Sequence, residues 1–265
     1  RYRKKIMFIG RSEETARLRG AIEARTAKIA LVYGRRRIGK TALIRQAVGR
    51  TPALVIEGLE NQSTQAQIAS FLDQASRQLR RKLPAVTTWQ AALMELDVAL
   101  AKKPMVIVLD EFQSLANYRQ ELVSVLKMVW ETRLSRKPGR TLILCGSIAS
   151  FMTTKVLNSS AFYGRVDVTI HLQGFQLAET ARMLSKRGFG EVLDAQCFTG
   201  GVPKYVELLS QGSSIAKSMN EEAFRPHGYF VQEYERIFTS HFGWNDEFQR
   251  LIRALAAAPY GLNRR

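Results

Sequence analysis

Lys28 to Gly49, KIALVYGRRRIGKTALIRQAVG, is the stretch whose reading decides the fold. Ile29, Ala30, Leu31 and Val32 make an apolar run of the length of a buried strand. The run leads into Gly34-Arg35-Arg36-Arg37-Ile38-Gly39-Lys40-Thr41 and then into a helical stretch that begins with Ala42. This loop fits GxxxxGK[ST], in which two glycines let successive backbone N–H groups wrap a polyphosphate at the N-terminus of the next helix. In that setting Lys40 reaches the β- and γ-phosphates, and the Thr41 hydroxyl takes a magnesium site. Strand, loop and helix follow in the order the motif requires, so a nucleotide-binding protein is expected.

A second run, Met105-Val106-Ile107-Val108-Leu109, ends in Asp110-Glu111. Five consecutive apolar residues suit a strand buried on both faces of a parallel sheet. Two carboxylates at its carboxyl end are costly unless they are used there, and that end is where α/β sheets place ligands. The expected roles are a Mg²⁺ ligand through water for Asp110 and polarisation of the attacking water for Glu111. The next apolar run, Thr141 to Cys145, leads to Gly146-Ser147. Ser147 either contacts the lytic water and γ-phosphate or caps a helix starting at Ile148.

The stretches Ala53–Glu57 and Val166–Leu172 bring the strands to at least five, separated by helical patterns over 62–81, 89–101 and around Leu122 to Trp130. Such alternation predicts an α/β sandwich with a parallel sheet. Near the amino terminus Ser12 is the expected N-cap of a helix carrying Leu18, Ala21 and Ile22. From Gly174 the pattern turns helical, with helices expected over 176–186 and 191–198 and another opening at Gly200-Gly201-Val202-Pro203. Gly212-Ser213-Ser214 reads as a linker. Beyond it, Phe230, Tyr234, Phe238 and Phe242 form an i, i+4 stripe, suited either to core packing or to base stacking.

The net charge is +17, and the first 50 residues carry 15 Lys/Arg against three Glu. Arg1, Arg3, Lys4, Lys5, Arg17, Arg19 and Arg25 form either a patch for DNA or an acidic partner, or a solvated basic face. No run of 18 apolar residues indicates a membrane span. Two cysteines, Cys145 and Cys197, provide neither a disulfide framework nor metal spacing, and a cytoplasmic location is expected. An Asn-Lys-x-Asp stretch is absent, which argues against a GTPase. The start at Arg1 and the end at Arg265 suggest a piece of a longer protein.

With these motifs in order, residues 6–215 resemble the archaeal-type P-loop ATPase family, which lies near the AAA+ and STAND ATPases. The resemblance rests on Phe8-Ile9-Gly10-Arg11 with Glu14, the Gly34–Thr41 loop and Leu109-Asp110-Glu111-Phe112-Gln113. It continues through Cys145-Gly146-Ser147, Tyr163-Gly164-Arg165 and Gly200-Gly201-Val202-Pro203-Lys204-Tyr205. It implies a P-loop NTPase core of the additional-strand type over 1–172, its parallel sheet sandwiched by helices. A small α-helical lid over 173–214 would follow, then a segment 215–265 leading into a truncated winged-helix module. The implied activity is Mg²⁺-dependent ATP binding and hydrolysis coupled to conformational change, with a slow signalling switch as the alternative.

Gly34, Arg35, Arg36, Arg37, Ile38, Gly39, Lys40, Thr41 and Ala42 would hold the nucleotide. Gly10, Arg11 and Pro203 would lie on its adenine side, and Thr41 with Asp110 would serve the metal. Lys40, Glu111, Ser147 and Arg165 form the implied catalytic set. Arg165 would reach the γ-phosphate within its own subunit or across a homo-oligomer interface, unless it is only a surface arginine after a turn glycine. The lid shows no evident second sensor arginine, since Lys204 follows Pro203.

Overall fold

The computed structural model describes residues 8–101, 105–233, 246–258 and 261. Five strands form one parallel sheet: β1 (Lys28–Tyr33), β2 (Ala53–Glu57), β3 (Met105–Asp110), β4 (Arg140–Gly146) and β5 (Val168–His171), in the order β2-β3-β4-β1-β5. The P-loop strand β1 and the carboxylate strand β3 flank β4, so the three motif-bearing strand ends lie side by side. Register sets Glu57 opposite Asp110, Leu109 opposite Leu144 and Tyr33 opposite Gly146.

Strand alternation divides the core in two. Ile29, Leu31, Ile107, Leu109, Leu142 and Leu144 face one side, against α3 (Thr64–Leu79), α4 (Trp89–Leu100) and α6 (Glu121–Thr132). Ala30, Val32, Val106, Val108, Ile143 and Cys145 face the other, against α1 (Ser12–Ile22) and α2 (Lys40–Val48). Both faces being covered explains why β1, β3 and β4 read as continuous apolar runs. Short helices α5 (Phe112–Leu115) and α7 (Ala149–Phe151) follow β3 and β4, and α7 continues into a π-type turn over Met152–Leu157.

The helix ends hold two corrections. At α1 the cap position belongs to Arg11, in the left-handed region at φ 59°, and Ser12 is the first helical residue. The reason lies far away in sequence: the Arg11 N–H donates to Glu179 Oε1 at 3.1 Å, which fixes the chain before Ser12 reaches a capping conformation. At β4 the helix begins at Ala149 after an extended Ile148, so Ser147 caps nothing.

Beyond the sheet come three short helices, α8 (Leu177–Met183), α9 (Phe189–Thr199) and α10 (Pro203–Leu209), with Pro203 at the first turn of α10 where its missing N–H costs nothing. Gly212-Ser213-Ser214, read as a linker, instead caps α11 (Ile215–Ala223). Ser214 accepts from the Lys217 N–H at 3.2 Å, and Arg187 donates to Ser213 O at 2.6 Å. Ile215 then joins a separate small core of Leu184, Val192, Ala195, Val206 and Leu209. Phe230 packs on Phe198, Tyr205 and Tyr229, which is the packing role for that member of the stripe. Tyr234, Phe238 and Phe242 lie outside the described residues, as do Arg1, Arg3, Lys4 and Lys5. Helix α12 spans Asp246–Ala256. No helix among the described residues is long and apolar enough to cross a membrane.

At the sheet's amino end Asp97 of α4 accepts from Arg140 Nη1 at 2.8 Å and Lys137 Nζ at 2.7 Å. Arg140 is fully buried and also donates to Ala101 O at 2.5 Å, tying α4 to the start of β4.

Candidate functional site

The loop between β1 and α2 is shaped by two glycines. Gly34 sits at φ 153°, and a Cβ there would fall 2.3 Å from Leu172 O at the end of β5. Gly39, at φ 94°, caps α2 without a side chain, and no acidic residue occupies the first turn of α2. Helices favour acids at that end, where N–H groups point outward. Leaving the end open and basic suits an external anion.

Lys40 is only 6% exposed, and its ammonium donates to Gly34 O at 3.0 Å and Arg35 O at 3.1 Å. The lysine is thus folded back on its own loop, held by neutral carbonyls that phosphate oxygens outcompete as partners. The three loop arginines each touch a neighbouring element. Arg36 pairs with Glu60 beyond β2. Arg37 sets Nε 2.6 Å from Glu233 Oε1 and lies over the Tyr229 ring at 4.9 Å. Arg35 lies 6.0 Å above the Tyr205 ring. The Tyr205 hydroxyl also donates to Glu233 Oε1, at 2.8 Å. Burial and that carboxylate push its pKa up to about 12.

Thr41 Oγ1 donates to Asp110 Oδ2 at 2.9 Å, so the loop hydroxyl and the strand-ending carboxylate already touch. Glu111 sits at φ 47°, a region few non-glycine residues adopt, with its N–H donating to Asp110 Oδ1 at 2.9 Å. Its Oε2 accepts from Ser147 Oγ at 2.7 Å and from Gln113 Nε2. Glu57 lies beside these two carboxylates, and its pKa is raised by burial first and then by the Asp110 and Glu111 charges. Burial raises the Cys145 thiol well above its usual value, so this strand cysteine is an inert core residue.

A cavity of about 640 Å³ opens over these strand ends, lined by Arg36, Lys40, Thr41, Glu57, Glu111 and Lys204 among others. Its size is in the range of small-ligand sites. Among the described residues no three His, Cys, Asp or Glu side chains converge as a metal cage. The paired Thr41 hydroxyl and Asp110 carboxylate nevertheless suit Mg²⁺, which keeps several waters and needs only one or two protein oxygens besides phosphates.

Ser147, Gly10, Arg11, Pro203 and Arg165, also singled out in the sequence, are not in the lining of this cavity. Ser147 borders a second cavity of about 340 Å³ with Arg35, Ile38 and His171. Arg11 donates through Nη2 to Gln173 O and stacks 5.0 Å over Phe175, tying the start of α1 to the segment after β5. Arg165 is exposed and sets Nε 2.5 Å from Glu131 Oε1. Arg17 and Arg19 donate to Thr169 O and Gln46 O, so part of the basic face is engaged on backbone. Gln113 and Glu233 are the participants that sequence reasoning missed. Gln113 stood in the Leu109–Gln113 motif, but nothing local told its side chain's direction.

A family model described as an ATPase domain predominantly from Archaea matches residues 8–209. An uncharacterised protein of Methanocaldococcus jannaschii, MJECL04, is 24% identical over 251 residues. The match covers 94% of this chain and 54% of that protein, so the chain spans about half the length of the curated relative. Among solved structures, the Walker-type ATPase of Pyrococcus abyssi superposes with a TM-score of 0.61 at 16% identity, covering 94% of this chain and 77% of that one. The Aeropyrum pernix ORC1 protein in complex with DNA superposes with a TM-score of 0.58 at 15% identity, covering 96% and 70%.

Proposed function

Because the chain belongs to the family of ATPase domains found predominantly in Archaea, we propose that it binds ATP with Mg²⁺ in the cavity over β1, β3 and β4 and hydrolyses the β–γ bond. The observation that carries this reading is the meeting of Lys40, the Thr41–Asp110 pair and Glu111 at one cavity. The backbone from Gly34 to Ala42 wraps the phosphates, and Lys40 exchanges its two carbonyl partners for phosphate oxygens. Thr41 and Asp110 would hold the metal, which would supply neutralisation of phosphate charge. Glu111 accepts a proton from the attacking water, with Ser147 holding that carboxylate. Gly10, Arg11 and Pro203 are assigned to the adenine side, and Arg165 to the γ-phosphate, within its own subunit or across a homo-oligomer interface. That last role requires Arg165 to leave Glu131. We assign 1–172 to the ATPase core, 173–214 to the lid and 215–265 to a following module, with nucleotide state coupled to lid position.

The test is a titration with fluorescent ATP and Mg²⁺, followed by phosphate release. Replacing Lys40 with Ala removes charge-assisted hydrogen bonds worth about 1.5–3 kcal/mol, so ATP affinity should fall about 10- to 150-fold. An unchanged Kd would detach the loop from nucleotide binding.

DNA is proposed as a partner on one observation beyond charge, namely that a neighbour of this fold is seen with DNA bound. Binding to duplex DNA should be detectable at about 50 mM salt and fall steeply by about 200 mM. No binding at the lower salt removes DNA from the list.

A further inference from the structure

Given the hydrolytic function proposed above, on which this inference rests, we propose that Gln113 is a positioning residue for Glu111. It holds one carboxylate oxygen in place so that the other is available to the attacking water. Gln113 is fully buried, and its carboxamide has a single satisfied orientation. Its Oε1 accepts from the Ser147 N–H at 3.3 Å. That leaves the Nε2 amine to donate both to Ser147 Oγ, at 3.0 Å, and to Glu111 Oε2. Ser147 closes the ring by donating its own hydroxyl to the same Glu111 oxygen at 2.7 Å. Both hydrogen bonds that the Glu111 carboxylate accepts from described residues fall on Oε2 and none on Oε1. The carboxylate therefore has one oxygen clamped and one free.

The surrounding backbone is built to admit this amide. A Cβ on Gly146 would fall 2.8 Å from Gln113 Oε1 and 2.4 Å from Met152 Sδ, so only glycine leaves room at the end of β4. Glu111 itself is held in the left-handed region, a conformation that persists where surrounding contacts over-determine it. Gln113 comes from α5, one turn beyond β3, and Ser147 from the end of β4. The clamp thus transmits the spacing of the two strands to a single carboxylate. Loss of such positioning costs turnover far more than it costs binding, because a displacement of about 1 Å at a reacting group is worth roughly 10²-fold in rate.

The experiment compares wild type with Gln113→Met, which keeps the chain length but cannot donate, and Gln113→Glu, which keeps the shape and the acceptor toward the Ser147 N–H but cannot donate to Glu111. Gly146→Ala keeps Gln113 in the sequence but presses a methyl group against its carboxamide and Met152, displacing the clamp from the end of β4. Each variant is first checked for folding by thermal melting, then for kcat and KM in phosphate release and for ATP affinity by fluorescence titration. The expected result is a fall in kcat of about 10- to 100-fold with KM and Kd within about twofold of wild type. A purely structural clamp would lower the melting temperature and leave kcat well below that temperature unchanged. Any folded variant at Gln113 with kcat within about twofold of wild type overturns the proposal while leaving the ATPase reading standing. Absence of turnover in wild type overturns the hydrolytic reading and this proposal with it.

Discussion

Glu111→Gln is expected to lower ATP turnover by about 10²–10⁴-fold, the range for removing a general base. The equivalent loss of transition-state stabilisation is about 3–5 kcal/mol. The substitution preserves size, and the carboxamide oxygen it introduces can still accept from Ser147 and Gln113, so the strand ends should stay in place. Nucleotide affinity should change by no more than about twofold, because in the proposed binding mode the ground-state contacts to phosphate come from the loop backbone and Lys40. Single-turnover phosphate release gives the rate, and titration with a fluorescent nucleotide gives the affinity. Turnover equal to wild type would remove Glu111 from the mechanism. If affinity collapses along with turnover, Glu111 serves binding instead.

The largest expected effect on stability lies at the opposite end of the sheet. Asp97→Ala leaves Arg140, which is fully buried, without its carboxylate partner and with Nε already lacking a hydrogen bond among the described residues. Breaking one side of a buried ion pair costs about 3–5 kcal/mol, most of it the penalty of an uncompensated charge. In a chain of this size that corresponds to a fall in melting temperature of roughly 6–20 °C. Urea denaturation and thermal melting of the same variant should agree. Replacing both partners, Asp97→Leu with Arg140→Met, should recover most of the loss, because an apolar pair of similar volume no longer carries a buried charge. If the single variant melts with wild type, the cluster is a solvated surface network, and the buried position of Arg140 is not maintained in solution.

Local pattern carried much of this protein. The runs Ile29–Val32 and Met105–Leu109 read as doubly covered strands because both faces of a parallel sheet exclude water, so no polar alternation interrupts them. Gly34, Gly39, Lys40 and Thr41 read as an anion loop because the chemistry is local: backbone N–H groups, a helix end and two side chains within one turn. Asp110 and Glu111 stood out because two carboxylates closing an apolar strand demand a use. The change of pattern at Gly174 marked a run of short helices, and α8, α9 and α10 stand there.

Contacts made by residues far apart in sequence were not legible in this way. Ser147 had two readings until the β3–β4 register placed it against Glu111, and a helix starting at Ala149 removed the capping role. Arg11 displaced Ser12 from the cap because Glu179, 168 positions away, takes its N–H. Arg37 meets Glu233 from far along the chain, and Gln113 turns inward between two strand ends, neither following from any spacing. The sequence by itself determined the sheet's strands, the phosphate loop and the carboxylates at the strand ends, since each depends on residues within a turn or a strand of one another. Only the tertiary structure decided which oxygen of Glu111 is clamped, which carbonyls hold Lys40 against its own loop, and which arginines are already engaged. Those outcomes depend on side-chain direction and distance between segments, and a linear pattern of residue types specifies neither.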